Sequence, residues 1–180
     1  TIFSQVLAQE WVYEILAVDD YSSDRSYPIL QELANADPRI RMFHHSINRG
    51  KGAAIRTAIP HCHAPFILIQ DADLEYNPES YPELLRPILQ KKALVVYGSR
   101  LMNDKSNLFG KNKSFIMSHL LGNIILSLAT SLLYCNRITD METCYKLVPG
   151  EFIRSLTIKS DRFNFEPEIT AKILKSGMKI

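Results

Sequence analysis

Phe66-Ile67-Leu68-Ile69-Gln70-Asp71-Ala72-Asp73-Leu74-Glu75 decides how this chain reads. Four apolar residues run into three acids at alternate positions. A continuous apolar run of this length is a strand buried on both faces. Carboxylates do not stay unpaired in a core, so the run breaks surface at its C-terminal end. Open α/β sheets bind ligands at such ends. Asp71 and Asp73 stand one residue apart on extended backbone and point the same way. A shared divalent cation would relieve their repulsion. A solvated strand end accounts for a bare Asp-x-Asp as well, so the rest of the chain has to supply specificity.

Upstream, Glu14-Ile15-Leu16-Ala17-Val18 is a short buried strand that ends in Asp19-Asp20. The loop Tyr21-Ser22-Ser23-Asp24 is rich in helix-capping residues. A helix follows over about 25–35, and Ile40 to His44 is a second strand. Gly50 and Gly52 then bracket Lys51 at the start of a helix running to Ala58. A glycine-lined helix start with a lysine suits an anion, and a tight turn explains the same glycines. It is not a Walker A loop, which needs Gly where His45 stands and Ser or Thr where Gly52 stands.

Downstream, Pro78 opens a helix whose apolar face is Tyr81, Leu84, Leu85, Ile88 and Leu89. Leu94 to Tyr97 is a further strand, and Arg100 emerges at its end. Residues 101–114 are polar and read as a loop. Ser114 to Cys135 is the most apolar segment, long enough to span a membrane. Recurrent Ser, Thr and Asn, with Gly122 in the middle, favour a buried or interfacial helix pair instead. Asp140 and Glu142 lie in a loop before a strand-like run. A helix is expected from about Pro167 to Ser176, with Glu166 and Glu168 placed to suit its dipole.

Strands alternate with helices over residues 1–100, which predicts an α/β fold with a parallel sheet. The ends carrying Asp19-Asp20, Asp71-x-Asp73 and Arg100 would then lie on one edge. The chain has 180 residues and a formal net charge of +2, which argues against a nucleic-acid partner. Its three cysteines form no Cys-x-x-Cys pair and suggest a reducing compartment. His61-Cys62-His63 fits no common zinc spacing and reads as a helix end or turn. There is no signal peptide, and both ends read as cut from a longer chain, the last residues starting a new strand.

Val18-Asp19-Asp20-x-Ser22-x-Asp24, Asn48 to Ala54, Gln70 to Tyr76 and Tyr97-Gly98-Ser99-Arg100, in that order, resemble a family-two glycosyltransferase of the GT-A fold. Thr139 to Lys146 and Phe163 to Lys172 resemble blocks of its bacterial dolichyl- or polyprenyl-phosphate sugar synthases. The resemblance implies a single GT-A domain over 1–180, with a nucleotide-sugar half over about 1–100 and an acceptor half over about 101–180. It implies a Rossmann-like, mostly parallel sheet flanked by helices, truncated at both ends. Asp19, Asp20, Lys51 and Asp71 would bind the nucleotide sugar. Asp71, Asp73 and Glu75 would hold Mg²⁺ or Mn²⁺. Arg100 would contact phosphate, and Asp140 or Glu142 would serve the acceptor side as base. Relatives carry an earlier strand that clasps the nucleotide, and usually Gly where Tyr21 stands.

The function so implied is metal-dependent inverting transfer from a UDP- or GDP-sugar to a lipid-phosphate or glycan acceptor in cell-envelope glycan biosynthesis. The location would be cytoplasmic, with peripheral contact at the inner face of the membrane. Two other readings stand beside it. A phosphatase of the haloacid dehalogenase type also uses a strand-end Asp-x-Asp, but that motif usually opens its domain. A non-catalytic nucleotide-sugar-binding module would keep the donor site without transfer. An EF-hand starting at Asp71 fails, because Tyr76 and Pro82 stand where Gly and Glu are needed.

Overall fold

The computed structural model describes residues 2–73, 76–100 and 113–180, with the backbone alone for 113–119. Helix α1 (Ile2–Leu7) leads into β1 (Ile15–Asp19), α2 (Ser26–Ala36), β2 (Ile40–His44) and α3 (Lys51–Ala58). Strand β3 (Phe66–Leu68), α4 (Tyr81–Leu89) and the two-residue β4 (Val96–Tyr97) follow. Then come α5 (Lys113–Tyr134), β5 (Lys146–Pro149), α6 (Gly150–Ser155) and α7 (Phe165–Lys175).

Strands β1 and β2 pair in parallel from Ile15 opposite Ile40 to Asp19 opposite His44. Strand β5 lies between β3 and β4 and is antiparallel to both, so β3 and β4 run in one direction. The predicted parallel arrangement therefore holds for β1 with β2 and for the shared direction of β3 and β4. Strand β5 joins from beyond residue 100 and runs against its neighbours. Helices α2 and α3 pack on the first pair, α4 on β4, and α6 on β3 and β5.

The core lies where β3–β5–β4 meets α6 and α7. Val95, Val148, Ile153, Phe165, Ile169 and Ile173 are all fully buried there. Positions 165, 169 and 173 recur every four residues and form one stripe of α7. Truncating Ile169 to Ala would cost about 2–5 kcal/mol. Asn77 caps the short 3₁₀ turn Pro78–Ser80 ahead of α4, its Oδ1 accepting from the Glu79 N–H at 3.1 Å.

Two expectations change. The 114–135 segment is one continuous helix, not a pair. Its Gly122 faces open space and breaks nothing, because a single glycine costs a long helix only about 1 kcal/mol. The last residues form no strand. His61-Cys62-His63 is a helix end, as expected, His61 closing the 3₁₀ turn Ile59–His61, and Glu14 holds the residues that follow. Glu14 Oε1 accepts from the N–H groups of His63 and Ala64 at 2.7 and 2.8 Å, and Oε2 lies 2.6 Å from Arg41. Burial alone would raise the Glu14 pKa; these donors outweigh it and bring it down to about 2. Among the described residues, no helix is long and apolar enough to cross a membrane.

Candidate functional site

Strand β1 delivers Asp19 and Asp20 at its C-terminal end, and both are engaged by neighbouring residues. Asp19 is buried, its Oδ2 2.9 Å from His44 Nδ1 and 3.3 Å from the Ser22 N–H. Asp20 acts on the loop before α3. Its carboxylate accepts from the N–H groups of Arg49 and Gly50 at 2.9 and 2.6 Å and lies 2.6 Å from His45 Nδ1. For both acids burial pushes the pKa up, and the hydrogen bonds outweigh it and leave the carboxyl below its ordinary value. Tyr21 sits at φ 63°, in the left-handed region. The side chain there carries a backbone cost that glycine would not.

The glycines around Lys51 serve close packing. A Cβ on Gly50 would lie 2.6 Å from the Asp161 carbonyl oxygen, and one on Gly52 2.3 Å from that of Ser160. The Ala53 N–H, one of the free donors at the start of α3, is already given to the Asp161 carbonyl at 3.0 Å. The expected anion cradle is therefore filled by residues 160–162 of the chain itself. Glu168 holds that segment from α7, accepting from the N–H groups of Lys159 and Ser160.

This packing fixes the backbone of Lys51 and sends its side chain inward. Nζ lies 2.9 Å from Asp71 Oδ2 and 2.7 Å from Glu166 Oε1. Burial alone would lower the Lys51 pKa; the carboxylates of Glu166 and Asp71 hold it above its ordinary value. The Asp71 N–H points at Cys144 Sγ at 3.1 Å, and burial raises that thiol to about 12, so it stays neutral.

Asp71 follows β3 with its side chain about one-third exposed, and Asp73 is exposed. Glu75 lies outside the described residues. Among the described residues, no group of three His, Cys, Asp or Glu side chains is gathered around one point. The donor set is thus a pair of hard carboxylates at an open strand end. That fits Mg²⁺ or Mn²⁺, ions that take one or two protein carboxylates and complete their shell with water and substrate phosphate.

On the other side of β5, Arg100 emerges after β4 and meets the buried Asp140. Its Nε lies 3.0 Å from Oδ2, its Nη2 3.1 Å from Oδ1, and its backbone N–H 3.0 Å from Oδ2. Asn123 Nδ2 adds a fourth donor at 2.7 Å. Burial pushes the Asp140 pKa up, but Arg100 and Asn123 hold it below its ordinary value. With four donors on its two oxygens, Asp140 anchors Arg100. Glu142 differs. Its carboxylate takes no hydrogen bond from the described residues, and burial, reinforced by the charge of Glu166, raises its pKa. The same carboxyl also feels Lys146, Arg100 and Asp140. Lys146 is fully buried, gives protons to the carbonyls of Met141 and Thr143, and lies 4.9 Å from the Tyr97 ring. Burial brings its pKa down to about 8, against the pull of Glu166.

Helix α5 is built inside out. Asn123, Ser127 and Ser131 face inward and hold the 138–142 loop. Asn123 Oδ1 accepts from the Glu142 N–H, Ser127 Oγ from the Met141 N–H, and Ser131 Oγ from the Ile138 N–H. Leu121, Ile125, Leu128, Leu132 and Leu133 face outward and are exposed. An open, mostly apolar groove of about 490 Å³ lies between the end of α5 and residues 135–139, lined by Ile124, Leu128 and Ile138 among others. None of the candidate acids or cations lines it.

The structure thus joins Lys51 to Asp71, and Arg100 to Asp140. It turns Asp20 onto the loop before α3 and Asp19 onto His44. Two residues with a part in the site escaped the sequence reading. Asn123 was legible only as one of three polar positions spaced by four, at 123, 127 and 131. Glu166 passed for a helix-dipole partner, and nothing in the sequence pairs it with Lys51.

Residues 2–149 match the family described as Glycosyl transferase family 2. A Trichomonas vaginalis dolichyl-phosphate beta-glucosyltransferase, ALG5D, is 28% identical over 178 residues, covering 94% of this chain and 53% of that protein. The uncharacterized protein MJ1222 of Methanocaldococcus jannaschii is 29% identical over 179 residues, covering 97% of this chain and 70% of that one. An undecaprenyl-phosphate 4-deoxy-4-formamido-L-arabinose transferase of Photorhabdus laumondii is 34% identical over 117 residues, 64% of this chain and 34% of that protein. The chain spans about half the length of the dolichyl-phosphate glucosyltransferase it matches. With its α/β fold and the match across four-fifths of its length, the chain belongs to glycosyl transferase family 2.

Proposed function

We propose that this chain is the catalytic part of an inverting glycosyltransferase that moves a sugar from a UDP- or GDP-sugar to a polyprenyl phosphate. Residues 1–180 form one GT-A domain in this reading, with donor groups in about 1–100 and acceptor groups in about 101–180. The observation that carries it is the pairing of Lys51 with Asp71 after β3 and the anchoring of Arg100 by Asp140 after β4. Cations at two strand ends are what a diphosphate donor and a phosphate acceptor both need. Relatives named for dolichyl-phosphate and undecaprenyl-phosphate transfer support the acceptor class.

Asp71 and Asp73 would hold Mg²⁺ or Mn²⁺, which supplies charge neutralisation at the donor diphosphate. Lys51 adds a fixed positive charge beside it. Asp20 keeps the 48–50 loop, and so Lys51, in place. Arg100, oriented by Asp140, aligns the acceptor phosphate for attack on the face opposite the leaving group. A phosphate is already ionised at neutral pH, so little base help is needed from Glu142. The outward apolar face of α5 would rest on the membrane surface where such an acceptor resides.

The test is a thermal-shift panel of UDP-, GDP- and dTDP-sugars, with and without Mn²⁺, followed by transfer assays on polyprenyl phosphate. Stabilisation that needs both metal and one nucleotide is expected. A protein that neither binds nor turns over any UDP- or GDP-sugar with Mn²⁺ present sinks the reading.

A further inference from the structure

Lys51 serves two carboxylates at once, and they differ in kind. Asp71 stands at the open mouth of β3. Glu166 is 3% exposed at the start of α7 and lies outside the family match. Glu166 Oε1 takes one hydrogen bond from Lys51, while Oε2 is buried and has no hydrogen-bond partner among the described residues. A buried carboxylate oxygen without a donor is costly and calls for an explanation.

We propose that Glu166 is a positioning residue that takes over the Lys51 ammonium when a divalent cation claims Asp71. The inference rests on Asp71 being a cation ligand, as read above. In the free chain the ammonium stands in for the cation, neutralising Asp71 at 2.9 Å. When the cation arrives, Lys51 must leave that carboxylate, and the vacant Oε2 offers it a second acceptor.

The surroundings suit a side-chain swing with no backbone movement. Gly50 and Gly52 lock the Lys51 backbone against residues 160–162. Glu166 is held by the fully buried Phe165 and Ile169, and its carbonyl accepts from Thr170 Oγ1 at 2.7 Å. The other groups within electrostatic reach do not compete for the vacant oxygen. Lys146 gives two of its three hydrogens to backbone carbonyls and makes no hydrogen bond to the vacant oxygen, Tyr97 bonds to Thr170 at 2.9 Å, and Glu142 is a carboxyl of like charge. The charges also balance. Two carboxylates share one ammonium before the exchange; afterwards Lys51–Glu166 is a neutral pair and Asp71 faces the cation.

Mn²⁺ binding to the chain without nucleotide, read by electron paramagnetic resonance, tests this. Lys51→Met removes the competing ammonium and should tighten Mn²⁺ by about tenfold. Glu166→Gln leaves Lys51 with Asp71 alone and should weaken Mn²⁺ by about tenfold. The double variant should match Lys51→Met within about twofold, because Glu166 acts through Lys51. Mn²⁺ no tighter in Lys51→Met, or Glu166→Gln weakening it equally in both backgrounds, overturns the exchange. The Lys51→Met arm decides alone if Glu166→Gln fails to fold. Mn²⁺ that fails to bind, or binds Asp71→Asn as well as the unaltered chain, removes the cation-site reading and the exchange with it.

Discussion

Arg100 and Asp140 face each other fork to fork, Nε 3.0 Å from Oδ2 and Nη2 3.1 Å from Oδ1. Forty residues separate them in the chain, and the carboxylate is buried while the guanidinium remains partly exposed. This geometry holds a partly exposed guanidinium on a buried base. Asp140→Asn keeps the shape and removes the charge. We expect a stability loss of about 1–3 kcal/mol in urea unfolding. The KM for a lipid-phosphate acceptor should rise more than the KM for donor.

Glu142 separates acceptor chemistries. With a polyprenyl phosphate acceptor, Glu142→Gln should lower kcat by less than about tenfold, because no proton has to be removed. With a hydroxyl acceptor the loss should reach about 10²–10⁴-fold. Parallel kinetics on both acceptors decide which chemistry the site performs.

Gly52→Ala tests the packing of α3 against residues 160–162. The new methyl would sit 2.3 Å from the Ser160 carbonyl oxygen, so one backbone has to move. A loss of about 1–3 kcal/mol is expected from chemical unfolding. Donor affinity should fall as well, since the shift displaces Lys51. An anion cradle at this helix start would instead lose phosphate affinity with stability intact.

The outward face of α5 should bind membranes. Leu132 and Leu133 are 82% and 77% exposed, so replacing both with Glu removes no core contact. Co-sedimentation with anionic vesicles should drop several-fold while the melting temperature stays within a few degrees. Unchanged co-sedimentation would assign that face to something other than lipid.

Much of this was open to a reader of the sequence alone. Apolar runs ending in acids placed β1 and β3, because burial on both faces demands continuous hydrophobicity and charge must then surface. The order of the motifs identified the family. The recurrence of Ser, Thr and Asn through 114–135 also argued against a membrane span, though it did not mark which of them face inward. Tertiary structure decided the rest. It made α5 polar inside and apolar outside, since the 138–142 loop needed donors and acceptors that the helix supplies. It turned the glycines at 50 and 52 from an anion cradle into a contact surface for residues 160–162. It paired Lys51 with Glu166 across 115 positions. Such long-range pairings follow from how the chain closes on itself, and no local period of the sequence records them.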